Sequence, residues 1–270
     1  MSRVQFQAVR QDTAIAYIHD GAKDDENSPT GFFWLGGFMS DMEGSKAGVL
    51  ADLAEQENRP CLRFDYSGHG QSEGEFRDGT ISKWLQEAVE VFKNQTSGPR
   101  IIIGSSMGGW LAMLLYRYFE QDEPEIASRI RGIILIAPAL DMTQKLMWDN
   151  YDDMARNDII ENGFYAEPSD YGDEPYIITR DLIEDGKQHI MMDAAIKVSC
   201  PVRILQGEKD VDVPWQHAFA IYQALEGDDI VFSLIKSADH RLSTPRDLAT
   251  LRQTCQHLSA MGDSMGDGGE

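Results

Sequence analysis

The sequence predicts an α/β fold: a mostly parallel, twisted sheet with helices on both faces and a helical cap insertion. Three observations predict it: short runs of mainly apolar residues, segments of helical period between them, and one long interruption of this alternation. Mainly apolar runs are typical of strands buried on both faces, as in a parallel sheet covered by helices. The predicted strands of this kind are Phe32–Leu35, Cys61–Phe64, Ile101–Ile103, Ile133–Ile136, Val202–Leu205 and Ile230–Ile235.

Two earlier strands and a set of helices complete the predicted elements. Val4–Val9 and Ala14–His19 alternate apolar and polar residues, which is typical of half-exposed antiparallel strands. The last predicted helix begins at Pro245, with Thr244 as its N-cap and Asp247 as the capping acid. Apolar residues at helical spacing predict the helices Ala47–Asn58, Thr80–Asn94, Trp110–Phe119, Trp215–Leu225 and Pro245–Met261.

The long interruption divides the chain into a core and an insertion. Residues 141–199 separate two predicted strands of the sheet by far more chain than such a connection needs. We therefore expect residues 1–140 and 200–260 to form the core and residues 141–199 to form a helical cap. Residues 261–270 are rich in Gly and Asp and are expected to be a disordered tail.

Composition and charge exclude several classes of partner. Of the 270 residues, 42% are apolar and 26% are charged, which is typical of a soluble globular protein. The 45 acidic and 24 basic side chains give a net charge of −21. This argues against nucleic acid or an anionic membrane as a partner, because both require a basic surface.

The cysteines, the N-terminus and the apolar runs indicate the cellular compartment. Cys61, Cys200 and Cys255 form no CxxC pair, so neither a disulfide framework nor a zinc site is predicted. The N-terminus carries no apolar signal segment and no amphipathic presequence. The longest apolar run, Gly132–Leu140, is about half as long as a membrane span. We expect a cytoplasmic protein without a membrane span. The sequence predicts no particular oligomeric state.

A glycine-serine motif follows the predicted strand Ile101–Ile103. Residues 104–109 are Gly-Ser-Ser-Met-Gly-Gly, which contain G-x-S-x-G with Ser106 at its centre. A sharp strand-to-helix turn that exposes one side chain needs glycine two positions before and two positions after it. Ser105 fails this requirement, because Ile103 and Met107 occupy those positions. Ser106 is therefore the predicted nucleophile.

A nucleophilic serine needs a histidine as general base and a carboxylate that orients the histidine. In proteins with this motif, the acid and then the histidine follow the serine along the chain. Among six histidines, His240 lies just after the last predicted strand and is the predicted base. Asp210 follows the strand before it and is the predicted acid. The alternatives are Asp212 in the same loop and Asp141 after an earlier strand.

Two backbone N–H groups are predicted to stabilise an oxyanion at the serine. Met107 begins the helix after Ser106, and helix N-termini stabilise negative charge. The second donor is expected in the turn after Phe32–Leu35, where Gly36 and Gly37 precede Phe38. The N–H of Phe38 is the candidate.

Residues 65–74, Asp-Tyr-Ser-Gly-His-Gly-Gln-Ser-Glu-Gly, also contain a glycine-rich stretch. The glycine spacing differs from that of a dinucleotide-binding loop, and no helix is predicted to begin there. His69 precedes the nucleophile, so it does not fit the order expected of the base. We interpret the stretch as a structural turn whose carboxylate and hydroxyls hold loop amides near the site.

The serine motif, its predicted acid and base, the turn before Phe38 and the glycine-rich stretch together resemble the serine α/β-hydrolase superfamily. They resemble most closely its mitochondrial palmitoyl-protein thioesterase subfamily, alpha/beta-hydrolase-domain-containing protein ten, also described as an acyl-glucuronide esterase. The resemblance implies an α/β-hydrolase fold in which Ser106, Asp210 and His240 are the catalytic triad. The cap and the missing presequence depart from the subfamily and are compatible with a bacterial relative. The matching stretches are Gly37-Phe38, Arg63–Gly68, Gly104–Trp110, Cys200–Arg203, Asp210 with Val213–Trp215, and Asp239–Arg241.

The sequence therefore predicts a carboxylesterase or acyl thioesterase that acts through an acyl-enzyme, without cofactor or metal. Its substrate is expected to be a small-molecule ester or thioester of an apolar acyl group, or an acylated protein. One alternative is the same triad acting on a C–C or peptide bond. Another is a non-catalytic ligand-binding module, which the presence of all three triad residues disfavours.

The cap composition suggests a filter for substrates. Residues 141–199 contain 14 acidic and 5 basic residues, a net charge of −9, together with several methionines and aromatic residues. Methionine adapts to irregular apolar ligands such as acyl chains. We hypothesise that the leaving group is neutral or cationic, because an anionic one would meet a repulsive rim.

Overall fold

The computed structural model describes residues 3–9, 13–168 and 175–266. Twelve strands lie in these residues, eight of which form the central sheet. The strands are β1 (Gln5–Val9), β2 (Thr13–Gly21), β3 (Gly31–Leu35), β4 (Pro60–Phe64), β5 (Arg100–Ser105), β6 (Ile130–Ile136), β7 (Phe164–Glu167), β8 (Tyr176–Thr179), β9 (Ile196–Lys197), β10 (Val202–Gly207), β11 (Leu225–Glu226) and β12 (Ile230–Ile235). The α-helices are α1 (Ser45–Glu57), α2 (Ile81–Gln95), α3 (Met107–Asp122), α4 (Pro124–Ala127), α5 (Asp153–Asn157), α6 (Arg180–Gly186), α7 (Trp215–Ala224) and α8 (Pro245–Gly266).

The central sheet has the strand order β1-β2-β4-β3-β5-β6-β10-β12. The first two strands pair antiparallel, β2 pairs antiparallel with β4, and every pair from β4 to β12 is parallel. The parallel strands therefore end at one edge, where the loops that follow them meet. This confirms the predicted α/β fold with a mostly parallel sheet.

Successive residues of each central strand point to opposite faces, so the sheet has two cores. On one face, Phe33 and Ile102 pack in a cluster with residues of α2 and α3. On the other face, Phe32 and Ile101 pack with residues of α1 and α8. The mainly apolar runs are thus explained by burial on both sides. Strand β12 differs, because it is the edge strand and leaves Val231 and Leu234 more than 40% exposed.

The last helix is longer than predicted, so it includes residues that the sequence assigned to the disordered tail. Its capping acid is in place, since the Thr244 hydroxyl donates to Asp247 Oδ2 at 2.6 Å. The helix continues to Gly266, past the predicted start of the disordered tail at residue 261. Asp263 anchors this end, because it accepts from the backbone N–H of Thr30 and pairs with Arg59. Residues 267–270 of the predicted tail lie outside the described residues.

The inserted segment, which the sequence predicts to be a helical cap, combines helical pieces with a short hairpin. It contains short helical turns, among them π-helical turns at Thr143–Trp148 and Asp158–Asn162, and helices α5 and α6. It also contains an antiparallel hairpin of β7 and β8. These strands are four residues each and rich in aromatic and β-branched side chains, too short for their period to be recognised in the sequence.

None of the helices in the described part of the chain is both long enough and apolar enough to span a bilayer.

Candidate active site

Ser106 lies at the turn between β5 and α3. Its φ and ψ are 54° and −119°, a conformation that residues other than glycine rarely adopt. The flanking glycines are required by close backbone contacts. A Cβ on Gly104 would lie 2.1 Å from the carbonyl oxygen of Gly108, and a Cβ on Gly108 would lie 2.1 Å from that of Leu35. The G-x-S-x-G spacing thus produces the strained turn that it predicts.

Replacing Gly108 by alanine is expected to destabilise the protein by about 2 kcal/mol or more, because the new Cβ would overlap the backbone of β3. Urea unfolding followed by circular dichroism measures this change. Gly48→Ala is the matched control, since a Cβ at Gly48 in α1 meets no atom within 4 Å. We expect it to be neutral or stabilising by about 0.5–1 kcal/mol. Equal losses in both variants would contradict the steric explanation.

The structure brings Ser106, His240 and Asp210 into one hydrogen-bonded chain. His240 Nε2 lies 3.2 Å from Ser106 Oγ, and His240 Nδ1 lies 2.9 Å from Asp210 Oδ2. The Asp210 side chain is fully buried, whereas that of His240 is 18% exposed. With Nδ1 donating to the carboxylate, Nε2 is left to accept the serine proton. The loops after β5, β10 and β12 supply the three residues at one edge of the sheet.

The orientation of Asp210 depends on several donors. Its Oδ1 accepts from the backbone N–H groups of Asp212 at 3.1 Å and Val213 at 2.8 Å. Gln206 Nε2 donates to Oδ2 at 3.0 Å and also to the carbonyl of Val213 at 2.9 Å. Gln206 is completely buried, and the sequence analysis did not single it out. Its signal was an amide directly after the predicted strand Val202–Leu205.

The two alternative acids have other positions. Asp141 is fully buried and accepts from the N–H groups of Met191 and Met192, both at 2.9 Å. It therefore holds the end of the inserted segment against its beginning. Asp212 is exposed, and its backbone N–H is a donor to Asp210. The geometry selects Asp210 as the partner of His240.

The residues of the two predicted oxyanion donors, Phe38 and Met107, both lie near Ser106. Met107 follows it as the first residue of α3 and is buried. Gly37 lies so close that a Cβ on it would be 3.4 Å from the Cβ of Ser106. Phe38, the next residue, lines the same cavity as Ser106, and its ring packs edge-on against that of Phe76.

His69 holds the turn that contains Phe38. Its Nε2 accepts from the backbone N–H of Met39 at 3.2 Å, and its Nδ1 lies 3.2 Å from the carbonyl of Ser67. Burial lowers the pKa of His69 to about 4, so the ring is neutral at neutral pH and Nε2 can accept. Asp65 accepts from the N–H groups of Met42 at 2.7 Å and Gln71 at 2.8 Å. The glycine-rich turn therefore secures loop amides beside the site, as interpreted from the sequence.

Ser106 and His240 open into a cavity of about 670 Å³. This volume lies within the range of small-molecule sites, roughly 300–1,000 Å³. The inserted segment contributes an apolar part of the wall: Met142, Leu146, Met147 and Tyr176.

Charged residues of both signs line the cavity. Glu167 and Asp212 are acidic, and Lys46 and Arg241 are basic. Among the described residues of the inserted segment, Glu167 is the acid that lines the cavity. The segment as a whole is strongly acidic. In the described residues, two basic residues of the core line the same cavity as these acids, so the charge of the inserted segment does not by itself give the charge of the wall. The neutral or cationic leaving group stays a prediction.

A metal site is one further arrangement that these side chains could form. Asp210, Asp212 and His240 place ligand-type atoms within 4.8 Å of one another. However, the two nitrogens of His240 face Ser106 and Asp210, and the Asp210 carboxylate already accepts N–H donors. This donor set fits a proton-transfer chain.

Comparison with known proteins places the chain in a family. The family described as "Serine aminopeptidase, S33" matches residues 37–157. The palmitoyl-protein thioesterase ABHD10 of Mus musculus is 32% identical over 229 residues, which are 84% of this chain and 74% of the mouse protein. The chain belongs to the α/β-hydrolase family that includes ABHD10. The resemblance recognised in the sequence is thereby confirmed.

Solved structures of α/β-hydrolases agree over nearly the whole chain. A putative hydrolase from Agrobacterium vitis S4 has a TM-score of 0.89 at 40% identity, covering 96% of this hydrolase and 98% of that chain. The mouse alpha/beta hydrolase domain-containing protein 10 has a TM-score of 0.83 at 28% identity, covering 96% of this hydrolase and 99% of that chain. This protein is therefore a hydrolase of that family.

Proposed function

We propose that this hydrolase cleaves ester or thioester bonds of apolar acyl groups, with Ser106 as nucleophile. The observation that carries the proposal is the continuous chain from Ser106 Oγ through His240 to the buried Asp210, open to a cavity at its serine end. A hydroxyl next to a neutral imidazole that is oriented by a buried carboxylate is the arrangement that activates serine for acyl transfer.

The first half-reaction forms an acyl-enzyme. Ser106 Oγ attacks the carbonyl carbon while His240 Nε2 takes the hydroxyl proton, and Asp210 stabilises the resulting imidazolium. The carbonyl oxygen becomes an oxyanion between the N–H groups of Phe38 and Met107. His240 then gives its proton to the leaving oxygen or sulfur as the tetrahedral intermediate collapses.

The second half-reaction releases the acyl group. Water enters from the cavity, His240 takes one of its protons, and the oxygen attacks the acyl carbon of the ester on Ser106. The same two N–H groups hold the second oxyanion. Collapse returns the proton to Ser106 Oγ and releases a carboxylic acid, so the cycle requires no cofactor.

Two observations support an apolar acyl group on an ester or thioester. The cavity wall of the inserted segment carries Met142, Leu146 and Met147, which suit a flexible alkyl chain. Relatives of this hydrolase in mouse, human and cattle are named palmitoyl-protein thioesterases. The substrate is thus a small-molecule acyl ester or thioester, or an acylated protein.

A peptide bond is the second candidate, favoured by the match to the serine aminopeptidase family. The same triad would attack an amide and protonate an amine. Parallel assays of a p-nitrophenyl acyl ester, an acyl thioester and an aminoacyl p-nitroanilide distinguish these bonds. We expect turnover of the ester and the thioester to exceed that of the anilide.

Covalent labelling tests the nucleophile itself. We expect a fluorophosphonate to modify one residue, Ser106, and to abolish ester hydrolysis in proportion to labelling. Peptide mass spectrometry locates the label, and heat-denatured protein is the control. Labelling at another residue with full loss of activity would refute the assignment of Ser106.

A further inference from the structure

Residues 37–40 form a tight turn, the oxyanion turn, which carries the proposed donor Phe38. The turn is closed by a hydrogen bond from the Ser40 N–H to the Gly37 carbonyl at 3.1 Å. A trans peptide points its C=O and its N–H in opposite directions, so this bond also fixes the direction of the Phe38 N–H. The use of that N–H in catalysis therefore depends on the shape of the turn.

The oxyanion turn contains a strained residue next to the donor. Met39 has a φ of 54°, in the left-handed region that residues other than glycine rarely adopt. At the third position of a four-residue turn, a positive φ is normally supplied by glycine. The Cβ of methionine makes this conformation unfavourable, so a contact from outside the turn is needed to hold it.

His69 supplies that contact. Its Nε2 accepts from the Met39 N–H at 3.2 Å, and its Nδ1 lies 3.2 Å from the carbonyl oxygen of Ser67. Burial lowers the pKa of His69 to about 4, so at neutral pH its one ring proton is on Nδ1 and Nε2 is an acceptor. The side chain is 4% exposed, so a substrate in the cavity cannot reach the ring. Any effect of His69 on the reaction must act through the turn.

Aromatic rings fix the His69 ring in place. Its centroid lies 5.5 Å from that of Tyr66, 5.2 Å from that of Phe76 and 5.2 Å from that of Trp84. The ring of Phe38 packs edge-on against Phe76 with centroids 4.8 Å apart, so the same aromatic cluster also contacts the turn. Dense packing of this kind leaves the imidazole little freedom to rotate away from Met39.

Helix α2 anchors the other end of the arrangement. The Ser67 carbonyl that faces His69 Nδ1 also accepts from Trp84 Nε1 at 3.2 Å. The Ser67 N–H donates to Oε2 of the buried Glu87 at 2.9 Å. A continuous set of hydrogen bonds thus runs from α2 through Ser67 and His69 to the oxyanion turn.

We propose that His69 is a positioning residue for acyl transfer, which holds Met39 in its strained conformation and thereby directs the Phe38 N–H at the oxyanion. The inference rests on the proposed acyl-transfer function. The two histidines would then have opposite requirements. His240 must gain a proton in each half-reaction, whereas His69 must keep Nε2 free to accept from Met39.

Substitutions of His69 test this role with a p-nitrophenyl acyl ester. His69→Leu keeps an apolar side chain of similar size and removes the acceptor. Loss of one oxyanion donor costs about 10²–10³-fold in kcat, so we expect kcat to fall about 30-fold or more and KM to change less than about threefold. His69→Gln offers an amide oxygen near the position of Nε2, so its kcat should stay within about fivefold of the wild type.

His19→Leu is the matched control for the loss of a partly buried histidine. Arg100, the first residue of β5, is an electrostatic neighbour of His19, whereas Ser106 follows the last residue of that strand. His19 therefore lies toward the opposite edge of the sheet. We expect kcat of this variant to stay within about threefold of the wild type.

Met39→Gly connects the effect to the turn. Glycine adopts a positive φ without the steric cost, so the turn should keep its shape without the contact from His69. In the Met39→Gly background we therefore expect His69→Leu to lower kcat by less than about fivefold. An equally large loss in both backgrounds would overturn the inference, because His69 would then act on something other than the turn.

Two further measurements separate positioning from a merely structural role. Fluorophosphonate titration of Ser106 gives the fraction of active protein, and kcat is expressed per titrated site. The affinity of an alkyl trifluoromethyl ketone, whose adduct with Ser106 places an oxyanion in the same position, should fall in parallel with kcat/KM.

A His69→Leu variant with fewer titrated sites but unchanged kcat per site would overturn the inference, as would unchanged affinity for the ketone. No ester turnover by the wild type would instead overturn the proposed function.

Discussion

Ser106→Ala is expected to lower kcat/KM for a short acyl ester by about three orders of magnitude or more. Without Oγ no acyl-enzyme can form, and the cavity retains only its binding contacts and the oxyanion donors. Alanine removes one oxygen, and its methyl group is already present as the serine Cβ, so the fold should survive. Initial rates with a p-nitrophenyl ester and circular dichroism spectra measure both effects.

Ser105→Ala is the matched control, because it removes the neighbouring hydroxyl and leaves the glycine spacing intact. We expect it to keep ester hydrolysis within about tenfold of the wild type. Near-normal turnover by Ser106→Ala, or equal losses in the two variants, would disprove the assignment of the nucleophile.

Asp210→Asn is expected to lower kcat by about four orders of magnitude, with a much smaller effect on KM. The carboxylate accepts from His240 Nδ1, Gln206 Nε2 and two backbone N–H groups. An asparagine amide is neutral, and its NH₂ group would face at least one of these donors. The imidazolium would lose its stabilising charge, and the ring could adopt the tautomer with the proton on Nε2.

Asp212→Asn is the matched control in the same loop. Its carboxylate is exposed and is not the one bonded to His240, so ester turnover should stay within about tenfold of the wild type. Steady-state kinetics on both variants give kcat and KM separately. A larger loss of kcat in Asp212→Asn than in Asp210→Asn would show that the acid had been assigned to the wrong residue.

The parts of the fold that were predictable are those with local causes. Ile101–Ile103 could be recognised as a buried strand because no polar residue interrupts it, and the structure extends it only to Arg100–Ser105. The cap was harder. Strands β7 and β8 are too short to show a period, and π-helical turns have no sequence signature that separates them from other helical turns.

The sequence by itself determined the turn at Ser106. The two glycines and the serine lie within five residues, and the Cβ that Gly104 lacks would overlap the backbone of Gly108 in the same motif. The order of serine, acid and histidine, together with a position after a predicted strand, also limited the acid to three aspartates. Only the tertiary structure chose Asp210 among them, because Asp141 is committed to the N–H groups of Met191 and Met192.

The tertiary structure alone also brought Lys46 to Arg241, which are 195 positions apart in the chain. In the sequence, Lys46 is one of many charged residues near a helix start, and the charge excess suggested a repulsive rim. Parallel strands that end at one edge of the sheet bring the loops after them together, whatever their separation in the chain. The charge at the catalytic cavity is therefore decided by this convergence of loops, which neither the net charge of −21 nor the local charge of the inserted segment predicts.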